Sequence, residues 1–335
     1  MIELLSWQNK NGVMGVYIME ISIKTSELAK VVGLSGQRVG QILSEQKHQV
    51  VKYGNANFVE PMAAREYLES RGFKYRHAIL SMFNSKGGVG KSTIAVLVAI
   101  AAAQHGAKVL LVDLDQQANS TIALGHEDED SASMYEIYSE EATIQECIVN
   151  VAKNIDLLPS SMNMTFLDRA ISQKNENIGS LIKDELSEVE YDYDLIILDL
   201  PPALNTVVAS SILASDEIII PTTSGKFAEK GVNVAMDEIK NLSRKFKVDE
   251  PQVSIVFNKY DRRKSSCREY LTKLLESYKD YLNTTYLGTS TVMENVQDKD
   301  VDFLLKCKKS DEKEDVYILT REILGINDFF VNEEI

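Results

Sequence analysis

A glycine-rich segment with two lysines carries the clearest chemical signal in this 335-residue chain. Residues 85–93 read Ser-Lys-Gly-Gly-Val-Gly-Lys-Ser-Thr, the phosphate-binding pattern G-x-x-x-x-G-K-[ST] with Ser85 in place of the first glycine. Lys91 can reach the β- and γ-phosphates of a nucleotide, and the Ser92 hydroxyl can bind Mg²⁺. The pattern therefore predicts a nucleotide-binding loop made of Gly87, Gly88, Val89, Gly90, Lys91, Ser92 and Thr93.

The segments on either side of this loop have the composition of a strand and a helix. Residues 78–83 form an apolar run of strand length, and residues 93–103 are apolar and rich in alanine, as in a buried helix. A strand, a glycine-rich turn and a helix are the structural context in which this motif binds phosphate.

Two more apolar runs end in carboxylates. Residues 109–115 end at Asp113 and Asp115, and residues 195–199 end at Asp199. Buried parallel strands are continuous apolar runs, and their C-terminal ends line the ligand crevice. A single aspartate after a strand is more often a helix cap, but three beside a phosphate loop favour a magnesium site. These patterns predict an α/β fold with a mostly parallel, doubly wound sheet.

The N-terminal segment has the pattern of a small winged helix-turn-helix domain. Residues 25–44 predict two helices around a turn at Gly33, residues 50–59 predict a hairpin wing, and residues 61–71 predict a closing helix. The candidate DNA contacts are Gln37, Arg38, Gln41 and Lys52. The alternative is a small packing or dimerisation domain that does not touch DNA.

The charge distribution divides the chain near residue 78. The net charge is −14, but residues 1–78 have ten basic and seven acidic side chains, whereas the rest has 26 basic and 43 acidic ones. The predicted domains are an N-terminal arm at 1–23, for dimerisation or disordered, a DNA-binding domain at 24–76 and an ATPase domain at 77–335. The three cysteines are widely spaced and no run of 18 apolar residues occurs, so a cytoplasmic location without a membrane helix is expected.

The combined motifs resemble those of the ParA/MinD ATPases. Lys86–Thr93 is similar to their deviant Walker A motif, in which Lys86 is the additional lysine. Residues 113–119 resemble their motif D-x-D-P-Q-[GA]-N, with Gln116 in place of proline, and residues 199–202 resemble their Walker B motif. The similarity extends from about residue 78 to residue 324 and implies a P-loop NTPase that uses ATP or ADP with Mg²⁺.

The resemblance also implies roles for individual residues. Lys86 would cross a nucleotide-sandwich homodimer to the partner's phosphates, Lys91 would bind phosphate in its own subunit, and Asp115 would position the attacking water. The implied magnesium and base contacts are Ser92, Asp113 and Asp199 for Mg²⁺, and Asn258 for the adenine base.

One motif leaves the choice of nucleotide open. Residues 258–261 read Asn-Lys-Tyr-Asp, which also matches the N-K-x-D pattern that reads guanine. The double-lysine loop favours ATP, and GTP is the alternative.

A winged helix-turn-helix ahead of such an ATPase is similar to the larger plasmid partition ATPases. This implies an ATPase that dimerises on ATP, binds DNA, represses its own operon and is slow without a ParB-like centromere-binding partner. The alternatives are a nucleotide-switched transcriptional regulator and a MinD-like membrane-positioning ATPase. The acidic C-terminal tail argues against the membrane alternative, because such a membrane helix should be basic.

Overall fold

The structure is a computed structural model, and it describes residues 21–289 and 311–329 except 127, 129–130, 175–176, 226–227 and 328. Most of the predicted arm at 1–23 therefore lies outside the described residues. No helix in the described ranges combines the length and the apolar character needed to cross a membrane.

The N-terminal domain has three helices and three short strands. In chain order they are β1 (Ile23–Lys24), α1 (Thr25–Val31), α2 (Gly36–Glu45), β2 (Val51–Tyr53), β3 (Ala56–Val59) and α3 (Pro61–Ser70). The strands form an antiparallel sheet in the order β1-β3-β2. Gly33 and Gly54 have φ angles of +64° and +58°, so glycine suits the turn between the helices and the turn of the hairpin.

The remaining elements form a layered α/β domain. They are β4 (Ala78–Met82), α4 (Lys91–Gln104), β5 (Val109–Asp113), α5 (Asn119–Ala123), α6 (Met134–Tyr138), α7 (Ile144–Cys147), β6 (Val149–Ala152), β7 (Ile155–Leu158), α8 (Met164–Lys174), α9 (Leu181–Leu186), a 3₁₀ helix (Glu190–Asp192), β8 (Leu195–Asp199), α10 (Thr206–Ala214), β9 (Glu217–Thr222), α11 (Ala228–Phe246), β10 (Gln252–Phe257), α12 (Ser265–Tyr278) and α13 (Asp311–Ile323).

The central sheet confirms the predicted fold class. Its seven strands have the order β10-β9-β4-β8-β5-β7-β6, and all pairs are parallel except β7 with β6. Alternate residues of each central strand enter different cores: in β5, Leu111 belongs to the core beneath α4 and Leu110 to the core on the other face. Because both faces are covered, these strands have continuous apolar sequences.

The two ends of the described chain are each buried in the core of the other domain. The predicted boundary at residue 24 falls inside β1, and Ile21, which is 4% exposed, belongs to the core beneath α4. Ile326 is fully buried in the core of the N-terminal domain, and Phe329 packs edge-to-face on Phe73. The C-terminal end of the predicted domain at 77–335 therefore packs against the N-terminal domain, and the domain bounds stay a prediction.

Arg65 on α3 connects the two domains. Its guanidinium donates to both carboxylate oxygens of Asp194, at 2.6 and 3.3 Å, and to the Gly106 carbonyl at 3.1 Å. It also lies over the Tyr75 ring, 4.2 Å from the centroid, and the Tyr75 hydroxyl donates to the His105 carbonyl. The N-terminal domain thus packs against the segment that directly follows α4, the helix after the glycine-rich loop.

Candidate nucleotide site

The glycine-rich loop connects the end of β4 to the start of α4. Gly88 and Gly90 have φ angles of +74° and +97°, a backbone conformation that glycine adopts without strain. Gly90 directly precedes α4, so its left-handed conformation sets the direction of the helix N-terminus. A helix N-terminus behind a glycine-rich loop favours an anion such as phosphate.

Asn84 fastens the loop to the sheet. Its side chain is 1% exposed; the amide nitrogen donates to the Pro221 carbonyl on β9 at 2.8 Å, and the amide oxygen accepts from the Lys86 backbone N–H at 2.9 Å. The loop is therefore held by a side chain that the motif analysis did not include.

Lys91 brings a positive charge to a buried position at the start of α4. The residue is 7% exposed, and burial lowers its pKa while the charges of Asp199 and Asp115 raise it. The structure thus places Lys91, Asp115 and Asp199, which are far apart in sequence, in one site. An ammonium group beside this loop can neutralise phosphate charge.

Asp113 and Asp199 are register partners at the ends of β5 and β8. Burial raises the pKa of both side chains, and the charge of Asp199 raises the pKa of Asp113 further. Two buried carboxylates side by side are unfavourable unless hydrogen bonds, protons or a cation compensate their charge.

Asp199 has the free oxygen that a magnesium ligand needs. Its Oδ2 accepts from the Ser120 hydroxyl at 2.6 Å, whereas the buried Oδ1 has no hydrogen-bond partner within the described part of the chain. The Ser92 hydroxyl and Lys91 both favour the ionised carboxylate and so lower its pKa. A free carboxylate oxygen near a hydroxyl group fits Mg²⁺, which prefers hard oxygen ligands.

The site has few protein ligands for a metal. Among the residues described by the structure, no three His, Cys, Asp or Glu side chains form a metal-binding group. Mg²⁺ at a phosphate loop needs only one or two protein oxygens, together with substrate phosphates and water.

Asp113 stabilises the turn that follows β5. Its Oδ1 accepts from the Asp115 N–H at 3.1 Å, and its Oδ2 accepts from the N–H and the hydroxyl of Thr121, at 2.9 and 2.8 Å. Both oxygens therefore have partners in the chain, and a contact from Asp113 to Mg²⁺ stays a prediction.

Asp115 lies at the start of this turn. Its Oδ1 accepts from the Gln117 N–H at 3.0 Å, and its carbonyl accepts from the Ala118 N–H at 2.8 Å and the Ser160 hydroxyl at 2.7 Å. Ala118 has a left-handed φ of +52°. The turn forms with Gln116 in place of the usual proline, and the role of Asp115 in positioning water stays a prediction.

Lys86 lies beside Gly225, between β9 and α11, and beside Gly231 within α11. A Cβ added to Gly231 would lie 3.5 Å from the Lys86 Cβ, and one added to Gly225 would lie 3.8 Å from its Nζ. The predicted contact with a partner's phosphates requires a second copy of the chain, so it stays a prediction.

Asn258 braces the phosphate loop. It is 4% exposed, its amide nitrogen donates to the Val89 carbonyl at 2.9 Å, and its amide oxygen accepts from the Lys259 N–H at 2.8 Å. Both amide groups thus have protein partners, and the predicted base contact is untested.

Both carboxylate oxygens of Asp261 accept hydrogen bonds from Arg263. Its Oδ1 accepts from the backbone N–H and Nε of Arg263, at 3.0 and 2.9 Å, and its Oδ2 accepts from Nη2 at 3.1 Å. These side-chain hydrogen bonds lower the pKa of Asp261 to about 2. The Arg263 side chain is 86% exposed, and an ion pair at such a surface is weak, so the geometry does not decide between ATP and GTP.

Four polar residues of the site were not predicted from the sequence: Asn84, Ser120, Thr121 and Ser160. Ser120 and Thr121 directly follow the 113–119 motif, and this proximity could have indicated a role. Ser160 follows β7, and no local pattern marks it.

The candidate DNA contacts lie apart from this site. Gln37, Arg38 and Gln41 are exposed on α2, and Lys52 is exposed on β2. Ser35 caps α2 by accepting from the Arg38 N–H at 3.2 Å. Gln37 and Gln41 are four residues apart and so share one helix face.

The loop, the sheet order and the carboxylates at the strand ends define a P-loop NTPase. A family model described as an AAA domain (AAA_31) matches residues 77–252, more than half of the chain. The chain therefore belongs to this AAA domain family.

Three relatives show the extent of this similarity. An uncharacterized protein of Methanocaldococcus jannaschii is 31% identical over 212 residues, 60% of this chain and 80% of that protein. The sporulation initiation inhibitor protein Soj of Bacillus subtilis is 26% identical over 62% of this chain and 83% of Soj. A virulence plasmid ParA family protein of Chlamydia psittaci is 28% identical over 73% of this chain and 93% of its own length.

Two solved structures share the fold. The ATP complex of a McdA variant from Cyanothece has a TM-score of 0.67 and 18% identity, covering 75% of this chain and 98% of that one. Cobyrinic acid a,c-diamide synthase from Mycobacterium smegmatis, with a bound ATP analogue and magnesium, has a TM-score of 0.65 and 22% identity, covering 74% and 94%.

Proposed function

We propose that this chain is an ATP-dependent partition ATPase that uses ATP or ADP with Mg²⁺. The observation that carries the proposal is the phosphate loop with its additional lysine, Lys86, beside Lys91 and the carboxylates of Asp115 and Asp199. The relatives that are ParA family and sporulation proteins support the assignment.

The residues of the site have separate tasks in hydrolysis. The loop N–H groups and Lys91 would bind the phosphates, Ser92 and Asp199 would hold Mg²⁺ with support from Asp113, and Asp115 would orient the attacking water. When bound, Mg²⁺ neutralises the charge that develops on the phosphates. Phosphoryl transfer depends on positioning and charge neutralisation, and these groups can supply both.

Lys86 makes hydrolysis depend on dimerisation. In the proposed homodimer its ammonium crosses to the partner's phosphates, so one subunit lacks part of the charge neutralisation. Hydrolysis is then slow until the ATP-bound dimer meets DNA and a ParB-like centromere-binding partner. We place the protein in the cytoplasm, associated with DNA.

The decisive experiment measures ATP turnover by the full chain with and without DNA and the partner. Lys91→Ala should abolish nucleotide binding, whereas Lys86→Ala should bind ATP as a monomer and hydrolyse it poorly. Unchanged turnover in Lys91→Ala would refute the assignment of the loop. If Lys86→Ala still dimerises when ATP is added, the role of Lys86 across the dimer is refuted, but the assignment of the loop is not.

A second candidate function is a nucleotide-switched transcriptional regulator, which includes repression of the protein's own operon. The observation that favours it is the exposed face of α2, with Gln37, Arg38 and Gln41 available for base edges, and Lys52 nearby on the hairpin for phosphate. The arrangement of helix, turn, helix and hairpin supports this reading, and a dimer would supply two half-site readers.

Footprinting on the DNA upstream of the gene separates the two functions. Arg38→Ala combined with Gln41→Ala should remove a specific footprint while ATP turnover remains, because these side chains lie far from the phosphate loop. Gln46→Ala, at an exposed position at the end of α2, is the control. If the wild-type protein gives no footprint in any nucleotide state, the regulatory function is refuted.

A further inference from the structure

The helix α5 contributes two buried hydroxyl groups to the site. Ser120 and Thr121 are 0% and 3% exposed. Ser120 Oγ donates to Asp199 Oδ2 at 2.6 Å, and Thr121 donates to Asp113 Oδ2 through its N–H at 2.9 Å and its Oγ1 at 2.8 Å. One oxygen of each strand-end carboxylate is therefore bound to α5.

The sheet geometry explains why α5 can reach both carboxylates. Asp113 and Asp199 are register partners on parallel neighbours, so they share one face of the sheet. Residues of the same face, such as Leu111 and Ile197, belong to the core that contains Ala123 of α5 and the apolar side of α4. Both carboxylates thus point to the layer that α4 and α5 form.

The hydrogen bond from Ser120 makes the two oxygens of Asp199 different. Oδ2 is occupied, and fixing it limits the rotation of the carboxylate. Oδ1 stays buried and without a hydrogen-bond partner among the described residues. Ser92 and Lys91, at the start of α4, interact favourably with this carboxylate.

Thr121 holds α5 in place for this contact. Its Oγ1 also accepts from the Ser160 N–H at 3.0 Å, so it joins β5, α5 and the segment after β7. These hydrogen bonds fix the residue directly after Ser120, and so limit the movement of Ser120 relative to Asp199.

We propose that Ser120 is a positioning residue for Mg²⁺: its hydroxyl holds Oδ2 of Asp199 so that Oδ1 faces the metal beside Ser92. The inference rests on the proposed ATP-dependent function. Ser120 acts only through Asp199. Removing a group that orients a metal ligand lowers metal affinity by about 10- to 100-fold.

The test compares the full-length wild-type chain with Ser120→Ala. Binding of a fluorescent N-methylanthraniloyl-ADP is measured first in EDTA and then during a MgCl₂ titration, and ATP turnover is measured against Mg²⁺ concentration. In EDTA the variant should bind the nucleotide as wild type does. Its half-saturating Mg²⁺ concentration should rise by about tenfold or more in both assays.

Ser211→Ala is the matched control. Ser211 is also fully buried, but its hydroxyl donates to the Val207 carbonyl within α10 at 2.8 Å. Its removal should leave the Mg²⁺ dependence unchanged.

Three results would overturn the inference while leaving the phosphate-loop assignment intact. They are an unchanged Mg²⁺ dependence in Ser120→Ala, weakened nucleotide binding by this variant already in EDTA, and an equal shift in Ser211→Ala. Absence of nucleotide binding by the wild-type chain would instead refute the proposed function, and the role of Ser120 with it.

Discussion

Three buried carboxylates and a buried ammonium lie at the C-terminal edge of the sheet, and their charges decide what the site can bind. Lys91 compensates Asp199 and Asp115, while Thr121 and Ser120 donate to Asp113 and Asp199. The remaining oxygen of Asp199 is the one buried acceptor of this group without a partner among the described residues. A magnesium ion would supply the missing positive charge, because a bound cation favours the ionised carboxylate.

At the same scale, Gly90 is the loop residue whose substitution has the clearest consequence. Gly90→Ala should lower the free energy of unfolding of the nucleotide-free protein by about 2 kcal/mol, because alanine at this φ is strained and its Cβ would collide with the Asn258 amide. Denaturant unfolding measures the change. Gly87→Ala is the control, since its Cβ would have no neighbour within 4 Å. Equal loss in both variants would contradict the argument.

The elements position the site through their ends. The 14-residue helix α4 is about 20 Å long, with the phosphate loop at its N-terminus and the N-terminal domain at its C-terminus. The strands β5 and β8 end at Asp113 and Asp199, and their other ends begin just after Lys108 and Asp194, which are joined by a hydrogen bond of 2.7 Å. The helix α4 and the strands β5 and β8 therefore each connect the nucleotide site to the opposite edge of the sheet.

Glu217, the first residue of β9, should make the free energy of unfolding depend on pH. Burial, and then the charge of Glu322, raises the pKa of Glu217 from 4.5 to about 7. A carboxyl group whose pKa is raised in the folded state contributes fully to the stability of the fold below pH 4.5. This contribution is lost as the pH rises through about 7.

Glu217→Gln should remove this effect. Compared with wild type, the variant should have a similar free energy of unfolding at pH 4.5 and one higher by about 2–3 kcal/mol at pH 8. Urea unfolding across the pH range measures the difference. The exposed Glu250→Gln is the control, and a wild-type-minus-variant difference that does not change with pH would exclude Glu217 as the cause.

At the scale of the whole molecule, the N-terminal domain is docked on the ATPase sheet and shares its core with the end of the chain. Arg65 binds Asp194, directly before β8, and the Gly106 carbonyl behind α4. Glu314 on α13 pairs with Lys30 on α1, and Ile326 fills the N-terminal core. The interface therefore contains ion pairs, a hydrogen bond to the segment after α4 and apolar packing.

Loss of Arg65 should loosen this interface. Arg65→Ala should lower the free energy of unfolding by about 2 kcal/mol or more, since it leaves a partly buried Asp194 without its cation and removes a donor to the Gly106 carbonyl. Limited proteolysis should then release the N-terminal domain faster. The exposed Arg76→Ala, between the two domains, is the control; if both variants are cut at the wild-type rate, Arg65 does not hold the domains together.

The sequence alone was sufficient for the phosphate loop, the parallel strands and the elements of the N-terminal domain, because these depend on short-range spacing and continuous apolar runs. Lys91, Ser92 and the glycines could be predicted for that reason. Only the tertiary structure decided that Ser120 binds Asp199, 79 residues away, and that Arg65 binds Asp194, 129 residues away. It also decided that the C-terminal segment completes the N-terminal core. Such contacts depend on the register of strands and the packing of helices, which no local pattern of residues encodes.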